Sequence, residues 1–542
     1  MLEPARTYTA AVDTFRWRVP ASYNIGVDIC DRQNGSAPAL ICPQPGGRIK
    51  TYSFGDLKRQ SNKLANVLAA RGVRPGDRVG ILLPQAPETA VAHIAVYKSG
   101  MIAVPLFTLF GADALEYRLQ AARVRALISD ATGLAKIAAI RDRLPDLKLV
   151  LSIDGRGDGA EDYHALLARS FDSFQPKLTR ADDPALIIFT SGTTGPPKGA
   201  LHAHRTLLGH LPGVEFPHEF FPQPGDLFWT PADWAWIGGL IDVLLPSLHH
   251  GVPVLAWRAQ KFDPEEAFRL MARHRVRNAF MPPTALKLMR QIGPTPLAFD
   301  CNLRSIGSGG ETLGAELLEW GRETFELTIN EFYGQTECNL VVGNCAGIME
   351  IRPGSMGRAI PGHTVGIVDN EGNALPDGAA GNIAIRRPDP VMFLEYWNDA
   401  EATQKKFAGD WLLTGDQGIR DADGYFHYVG RDDDVITTAG YRVGPGEIED
   451  CLAGHMSVAL SAVIGVPDAV RTQSIKAFVV LRPGYEGTPA LARDIQDYVK
   501  TRLAAHEYPR EVEFVTSLPM TTTGKIMRGE LRAREAARRR EE

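Results

Sequence analysis

Ile187-Ile188-Phe189-Thr190-Ser191-Gly192-Thr193-Thr194-Gly195-Pro196-Pro197-Lys198-Gly199 is an apolar run that delivers hydroxyls, glycines and one lysine. The apolar start predicts a buried strand, and the polar remainder predicts a loop built to hold phosphate. Glycines let backbone N–H groups approach an anion closely. Ser191, Thr193 and Thr194 add hydroxyl donors, and Lys198 adds a full positive charge. The loop is not a Walker A motif, which needs G-x-x-x-x-G-K-[ST]; here Lys198 stands between Pro197 and Gly199.

The surrounding chain bounds the answer. Its 542 residues predict several domains. Hydrophobic content of 44% and charged content of 23% fit a globular protein with a sizeable core. A net charge of −5 argues against non-specific nucleic-acid binding. No apolar run is long enough to predict a membrane span, and Met1 to Arg6 lacks the layout of a secretory signal. The six cysteines form no CxxC pair, so they are expected to be reduced thiols in a cytoplasmic protein. Cys338 draws notice because it lies beside Glu337, a candidate metal ligand.

Outward from the loop, helix and strand signals alternate. Strands are expected at Asp77 to Leu83 and Met101 to Leu106, with a helix from Ala90 to Ser99 between them. Further strand signals lie at Gly251 to Leu255, Asn278 to Met281 and Leu303 to Gly307. This alternation predicts an α/β fold with βαβ units and parallel sheet. Beyond about residue 350 glycine-rich turns and short strands take over, as in His363 to Gly372, predicting a small β-rich subdomain over 350–432. The polar run Gly430 to Asp434 reads as a boundary between a domain of residues 1–432 and one of 433–542. In the second, Ser461 to Val466 and Lys476 to Leu481 read as strands, and Pro489 to Leu503 as an amphipathic helix. Arg532 to Glu542 reads as a solvated charged helix or a frayed end.

Other segments place polar groups after strands: Ser308-Gly309-Gly310-Glu311, Glu331-Phe332-Tyr333-Gly334-Gln335-Thr336-Glu337, Thr414-Gly415-Asp416, Gly440-Tyr441-Arg442 and Pro519 to Lys525. Gly307 to Glu311 misses the third glycine of G-x-G-x-x-G, which leaves a nicotinamide oxidoreductase poorly supported. In this order and spacing, from about residue 25 to 535, the segments resemble the adenylate-forming acyl-CoA synthetases, closest to the short- and medium-chain branch. Ile187 to Gly199 matches that family's phosphate loop, and Tyr333 to Glu337 its YGxTE motif. Thr414 to Asp416, Gly430 to Asp434 and Pro519 to Lys525 match its remaining signatures.

The resemblance implies a large N-terminal domain with stacked sheets, a β-rich subdomain and a small mobile α+β C-terminal domain. It implies ATP, Mg²⁺ and coenzyme A, and a two-step ligation through acyl-AMP. By resemblance, Thr190 to Gly195 and Lys198 hold the β- and γ-phosphates, Thr336 touches the α-phosphate and Glu337 binds Mg²⁺. Gly309, Gly310, Glu311, Glu331, Phe332, Tyr333, Gly334 and Gln335 belong to the nucleotide site. Asp416 and Arg431 face the ribose. Lys525 bridges the attacking carboxylate and the α-phosphate. Asp433 is the hinge about which the C-terminal domain rotates between steps. Ala439, Gly440, Tyr441, Arg442 and Arg471 are the coenzyme A candidates.

Acetate enzymes of the family carry tryptophan where this chain has Gly334, so a pocket open to longer acyl groups is expected. Trp234, Trp236 and Ile237 are expected to line it, and a bulky pair there leaves an aromatic or branched acid open. Loading of a carrier protein is the other alternative within this chemistry. The Pro519 to Lys525 context also resembles sites modified by a lysine acetyltransferase, which would remove the charge on Lys525. The chain is expected to act as a monomer or homo-oligomer on small molecules.

Overall fold

The computed structural model describes the chain except residues 158, 191–196, 258–261, 293–300, 432–433, 439–440, 469–471, 504–507, 522–524 and 542. Two large sheets organise the N-terminal part. In the first, Glu395–Tyr396, Gly199–Ala203, Pro184–Phe189, Ile102–Pro105, Arg78–Leu82, Ala126–Ser129, Leu149–Ser152 and Glu161–Asp162 lie side by side. Pro184–Phe189 through Glu161–Asp162 run parallel, and the first two strands pair antiparallel. The second orders Arg358–Ala359, Asn339–Gly343, Asn330–Gln335, Ser305–Gly309, Asn278–Phe280, Phe228–Trp229, Val254–Leu255, Pro38–Pro43 and Ile49–Ser53. Its six central strands, Asn330–Gln335 to Pro38–Pro43, are parallel.

The sheets stack through helices. Phe54–Ala70 opens with a capping box in which Ser53 Oγ accepts from Asp56 N and the Asp56 carboxylate accepts from Ser53 N. Pro87–Lys98 is buried on every face from Thr89 to Lys98, as its near-continuous apolar sequence demands. One core runs from Leu186 and Ile188 of the first sheet, through these helices, to Phe228, Phe280 and Phe332 of the second.

The expected β-rich region is a five-stranded sheet of Val365–Val368, Ala380–Arg386, Trp411–Arg420, Phe407–Ala408 and Phe426–Arg431. After Arg431, another five strands form a separate sheet: Tyr441–Val443, Ile436–Thr438, Thr472–Leu481, Val458–Asp468 and Glu511–Phe514. Their core is separate too, built on Ile436, Ile448, Val463, Ile475, Ile495 and Val499.

The last helix, Arg528–Glu541, is neither frayed nor simply solvated. Arg528 bonds Glu449 at 2.5 Å, and Arg532 bonds Asp434 at 2.5 Å. Buried Glu535 gathers Lys476, Arg538 and Arg539. A run that looked like surface charge is therefore a set of tethers, one of them to Asp434 at the start of the C-terminal sheet.

All six cysteines are free thiols. Burial pushes the Cys30 and Cys42 thiols up to about 12 and raises Cys338 and Cys345 further.

Candidate active site

The opening motif forms a hairpin whose neck is closed by its own ends. Phe189 pairs with Gly199; Thr190 N donates to Lys198 O at 2.9 Å, and Lys198 N to Thr190 Oγ1 at 3.4 Å. Tyr117 OH donates to Pro197 O at 3.0 Å. Ser191, Gly192, Thr193, Thr194 and Gly195 lie outside the described residues. The loop is held at its base, with Lys198 at the rim.

The strand Asn330–Gln335 delivers the next groups, and period-2 alternation sorts them. Tyr333 OH and Gln335 Nε2 each donate to Asp416 Oδ2 at 2.6 Å. Asp416 pairs across the β-rich sheet with Arg431, whose Nη1 stands 3.9 Å from Asp416 Oδ1. Phe332 points to the other face. Its ring lies 5.5 Å from Phe280 and fills the space where a Cβ on Gly309 would come within 2.5 Å of it. Phe332 is thus a core group beneath the glycine strand.

Glu331 is buried beside the same strand. Its carboxyl is buried and accepts from Leu313 N at 3.2 Å, and burial pushes its pKa up to about 8. Its Oε1 is thus committed to the backbone. Between about pH 4.5 and 8 the folded protein therefore binds more protons at this site than the unfolded chain, so its contribution to stability falls as pH rises. Glu331→Gln, which cannot ionise, is expected to gain on the wild type in urea midpoint as pH rises from 6 to 8.5. A constant difference between the two would mean that Glu331 titrates normally.

Lys525 comes from the other domain. Thr521 N donates to Lys525 O at 2.8 Å and Lys525 N to Thr521 Oγ1 at 3.0 Å, beside the Met520–Ile526 bridge. Lys525 itself reaches the N-terminal part. Gly310 has φ +97°, and a Cβ added there would lie 3.9 Å from Lys525 Cε and 3.7 Å from Trp236 Cη2. Burial lowers the lysine's pKa, the Glu311 and Asp416 carboxylates oppose that, and Arg431 adds to it. Glu311 is held by Thr284 Oγ1 at 3.2 Å. The two domains also touch where Gly446 approaches Thr312, Gly314 approaches Asp450 and Gly454 approaches Glu316. Lys525, Glu311, Asp416, Arg431, Gly310 and Trp236 thus converge from separate segments.

The two tryptophans part company. Trp236 flanks Gly310 and lies 5.8 Å from Phe280. Trp234 is wholly buried in the main core, so it does not serve as a wall beside Lys525. Ile237 begins a short helical turn and packs on the same core. Gly334 has a reason unrelated to an absent indole: a Cβ there would fall 1.6 Å from the Asn339 carbonyl oxygen. Its bareness admits the returning hairpin strand, where the register shifts between Tyr333 and Gly334.

Glu337 is nearly buried. Its Oε1 accepts from Tyr396 OH and faces Lys406 Nζ at 4.0 Å, while Oε2 carries no protein hydrogen bond among the described residues. A carboxylate oxygen left over in this way suits a hard cation. Among the described residues no cluster of three metal-binding side chains exists, so phosphate and water would complete the shell of a cation held here. Sequence reasoning did not find Tyr396, Lys406 or Phe280. Only Tyr396 has a usable signal, as an aromatic pair with Trp397 at the end of a short strand.

Asp433, Ala439, Gly440 and Arg471 lie outside the described residues. Tyr441 and Arg442 belong to the strand Tyr441–Val443, and their side chains lie outside the description.

The AMP-binding enzyme family matches residues 28–397, and the AMP-binding enzyme C-terminal domain matches 447–525. The chain belongs to the AMP-binding enzyme family. Its relatives include the mitochondrial acyl-coenzyme A synthetase ACSM2 of Rattus norvegicus, 35% identical over 95% of this chain and 92% of that protein. The acetyl-coenzyme A synthetase of Bacillus subtilis is 36% identical over 90% of this chain and 86% of its own. Among solved structures, an anthranilate CoA ligase bound to anthranoyl-AMP superposes with a TM-score of 0.88 at 30% identity, covering 96% of this chain and 99% of that one. The Brucella canis acyl-CoA synthetase gives 0.76 at 32%, covering 99% and 100%. Membership removes the oxidoreductase alternative, which had rested on Gly307 to Gly310. As an AMP-binding enzyme, the chain has an adenylate-forming fold of two sheets, a β-rich subdomain and a C-terminal α+β domain. No described helix is long and apolar enough to cross a membrane.

Proposed function

We propose that this AMP-binding enzyme is an ATP-dependent acyl-CoA synthetase acting on short- to medium-chain carboxylic acids. The acid's carboxylate attacks the α-phosphorus of ATP and expels pyrophosphate. The thiol of coenzyme A then attacks the acyl carbon and expels AMP. The observation that carries this reading is Lys525, brought from one domain to the Gly310–Trp236 edge of the other.

The residues divide the work. The rim of the phosphate loop, with Lys198, holds the leaving pyrophosphate. Asp416, already an acceptor for Tyr333 and Gln335, receives the ribose hydroxyls, with Arg431 beside it. Lys525 places its ammonium between the two reacting anions, which steadies charge on both as the bond forms. Mg²⁺, when bound, neutralises phosphate charge, and Glu337 is the residue that would hold it. The two domains face each other here in an arrangement suited to the first half-reaction. The 433–542 domain would then turn about Asp433 to bring Gly440 to Arg442 towards coenzyme A.

Trp236, backed by Phe280, stands like Lys525 against Gly310, so it is the wall an acyl chain would meet. Trp236→Ala is expected to move the preferred acid towards longer chains. Each additional buried methylene can contribute about 0.8 kcal/mol, roughly fourfold in kcat/KM. CoA-dependent AMP release measured from acetate to decanoate, with branched and aromatic acids included, tests both the activity and this shift. No release with any acid would sink the proposal; an unaltered profile in Trp236→Ala would remove Trp236 from the pocket. The aromatic character of the same wall favours a second reading, an aryl acid, which the benzoate and anthranilate members of the panel address.

A further inference from the structure

One short segment joins the exit of the phosphate loop to Glu337. The strand Glu395–Tyr396 pairs antiparallel with Gly199–Ala203, the strand that leaves the phosphate loop. Trp397 N donates to Gly199 O at 2.7 Å, pinning the loop's exit. Phe393 N donates to Glu337 O at 2.8 Å, pinning the backbone of the candidate metal carboxylate. Between them Tyr396 is 4% exposed, its amide donates to Thr403 Oγ1 at 2.9 Å, and its ring meets Phe393 edge-on at 5.0 Å.

Tyr396 therefore has little freedom, and its two ends serve different partners. The hydroxyl donates to Glu337 Oε1. The ring face receives the Lys198 ammonium, 5.3 Å from its centroid, in a cation–π contact. Near the same carboxylate oxygen stands Lys406, whose Nζ is tied to Leu413 O at 3.2 Å and Thr414 O at 3.0 Å and stops 4.0 Å short of Glu337. Two groups thus compete for Oε1; the hydroxyl holds it, and Oε2 is left for a cation.

We propose that Tyr396 is a positioning residue that locks the phosphate-loop lysine and the metal-binding carboxylate into one register. The hydroxyl sets the direction of Glu337, and the ring sets the reach of Lys198. Without the hydroxyl, Glu337 closes the gap to Lys406 and turns from the cation. The inference rests on the proposed role of Glu337.

The test is calorimetric titration of the full chain with ATP at a series of MgCl₂ concentrations, and with AMP, in the absence of any acid. Tyr396→Phe keeps the ring and loses the hydroxyl; its Mg²⁺ concentration for half-maximal ATP affinity is expected to rise about tenfold, the scale of one bond to a charged group. AMP affinity, which needs neither Lys198 nor Glu337, is expected to stay within about twofold of wild type. Tyr396→Leu, which also removes the cation–π face, is expected to weaken ATP binding a further few-fold at saturating Mg²⁺, by roughly the worth of that contact. Equal losses of ATP and AMP affinity in Tyr396→Phe, or an unchanged Mg²⁺ requirement, would overturn the proposal. Glu337→Gln separates the two levels. If it leaves the Mg²⁺ requirement unchanged, the metal-binding reading of Glu337 fails and this inference falls with it. If it raises the requirement and Tyr396→Phe does not, only the inference fails.

Discussion

Lys525→Ala is expected to slow acyl-AMP formation by about 10²–10³-fold, the cost of removing one oriented donor from a developing charge. Thioester formation from supplied acyl-AMP is expected to persist near the wild-type rate. The asymmetry follows from where the lysine sits. It is carried by the C-terminal domain to the edge of Gly310, facing Glu311 and Asp416. The proposed rotation that brings the Gly440 to Arg442 segment inward would take Lys525 out, so the second step would proceed without it. Equal losses in the two half-reactions, measured separately by rapid quench, would contradict this division. Because burial lowers the lysine's pKa, adenylation is also expected to lose its charge-dependent part below the ordinary lysine range as pH rises, not above it.

Gly334→Trp is expected to disrupt the hairpin rather than to retune the acyl pocket. The 1.6 Å approach of an added Cβ to the Asn339 carbonyl leaves no rotamer to relieve it, since the contact is backbone against the first side-chain carbon. Asn339 holds φ +52° at the turn of that hairpin and cannot retreat without moving Leu340 and Val341. The cost is on the scale of the largest single-site effects, about 4 kcal/mol or more. It should appear as lost soluble yield or a collapsed urea midpoint, in Gly334→Ala as well as in Gly334→Trp. Well-folded Gly334→Trp protein with a preference for acetate would show that the hairpin yields and that the indole does fill the pocket.

The reach of the sequence can be followed residue by residue. Strand–helix alternation is legible because buried parallel strands and their crossovers are near-continuous apolar runs. The phosphate loop and Asp416 are legible because hydroxyls, glycines and an acid stand directly after such strands. Phe332 is assignable from sequence too: alternation puts it opposite Tyr333 and Gln335, and only the grouping of neighbours in one motif obscures this. Trp234 and Trp236 cannot be separated, since their segment turns between them through the Asp233 Oδ1 bond to Ala235 N, and simple periodicity does not apply. Gly334 misleads because its neighbour is a hairpin carbonyl, a contact that composition does not reveal. Lys406 stays hidden for the same reason, since it acts on Glu337 from far along the chain; Tyr396 carries only the weak signal of its aromatic pair with Trp397.

ATP–pyrophosphate exchange without coenzyme A shows whether a phosphate loop in one domain works with a visiting lysine from another. Exchange is expected to depend on a carboxylic acid, to need no thiol, and to fall about 10²–10³-fold in Lys525→Ala. Exchange that requires coenzyme A, that proceeds at the wild-type rate in Lys525→Ala, or that no acid from acetate to decanoate or benzoate elicits, would contradict it.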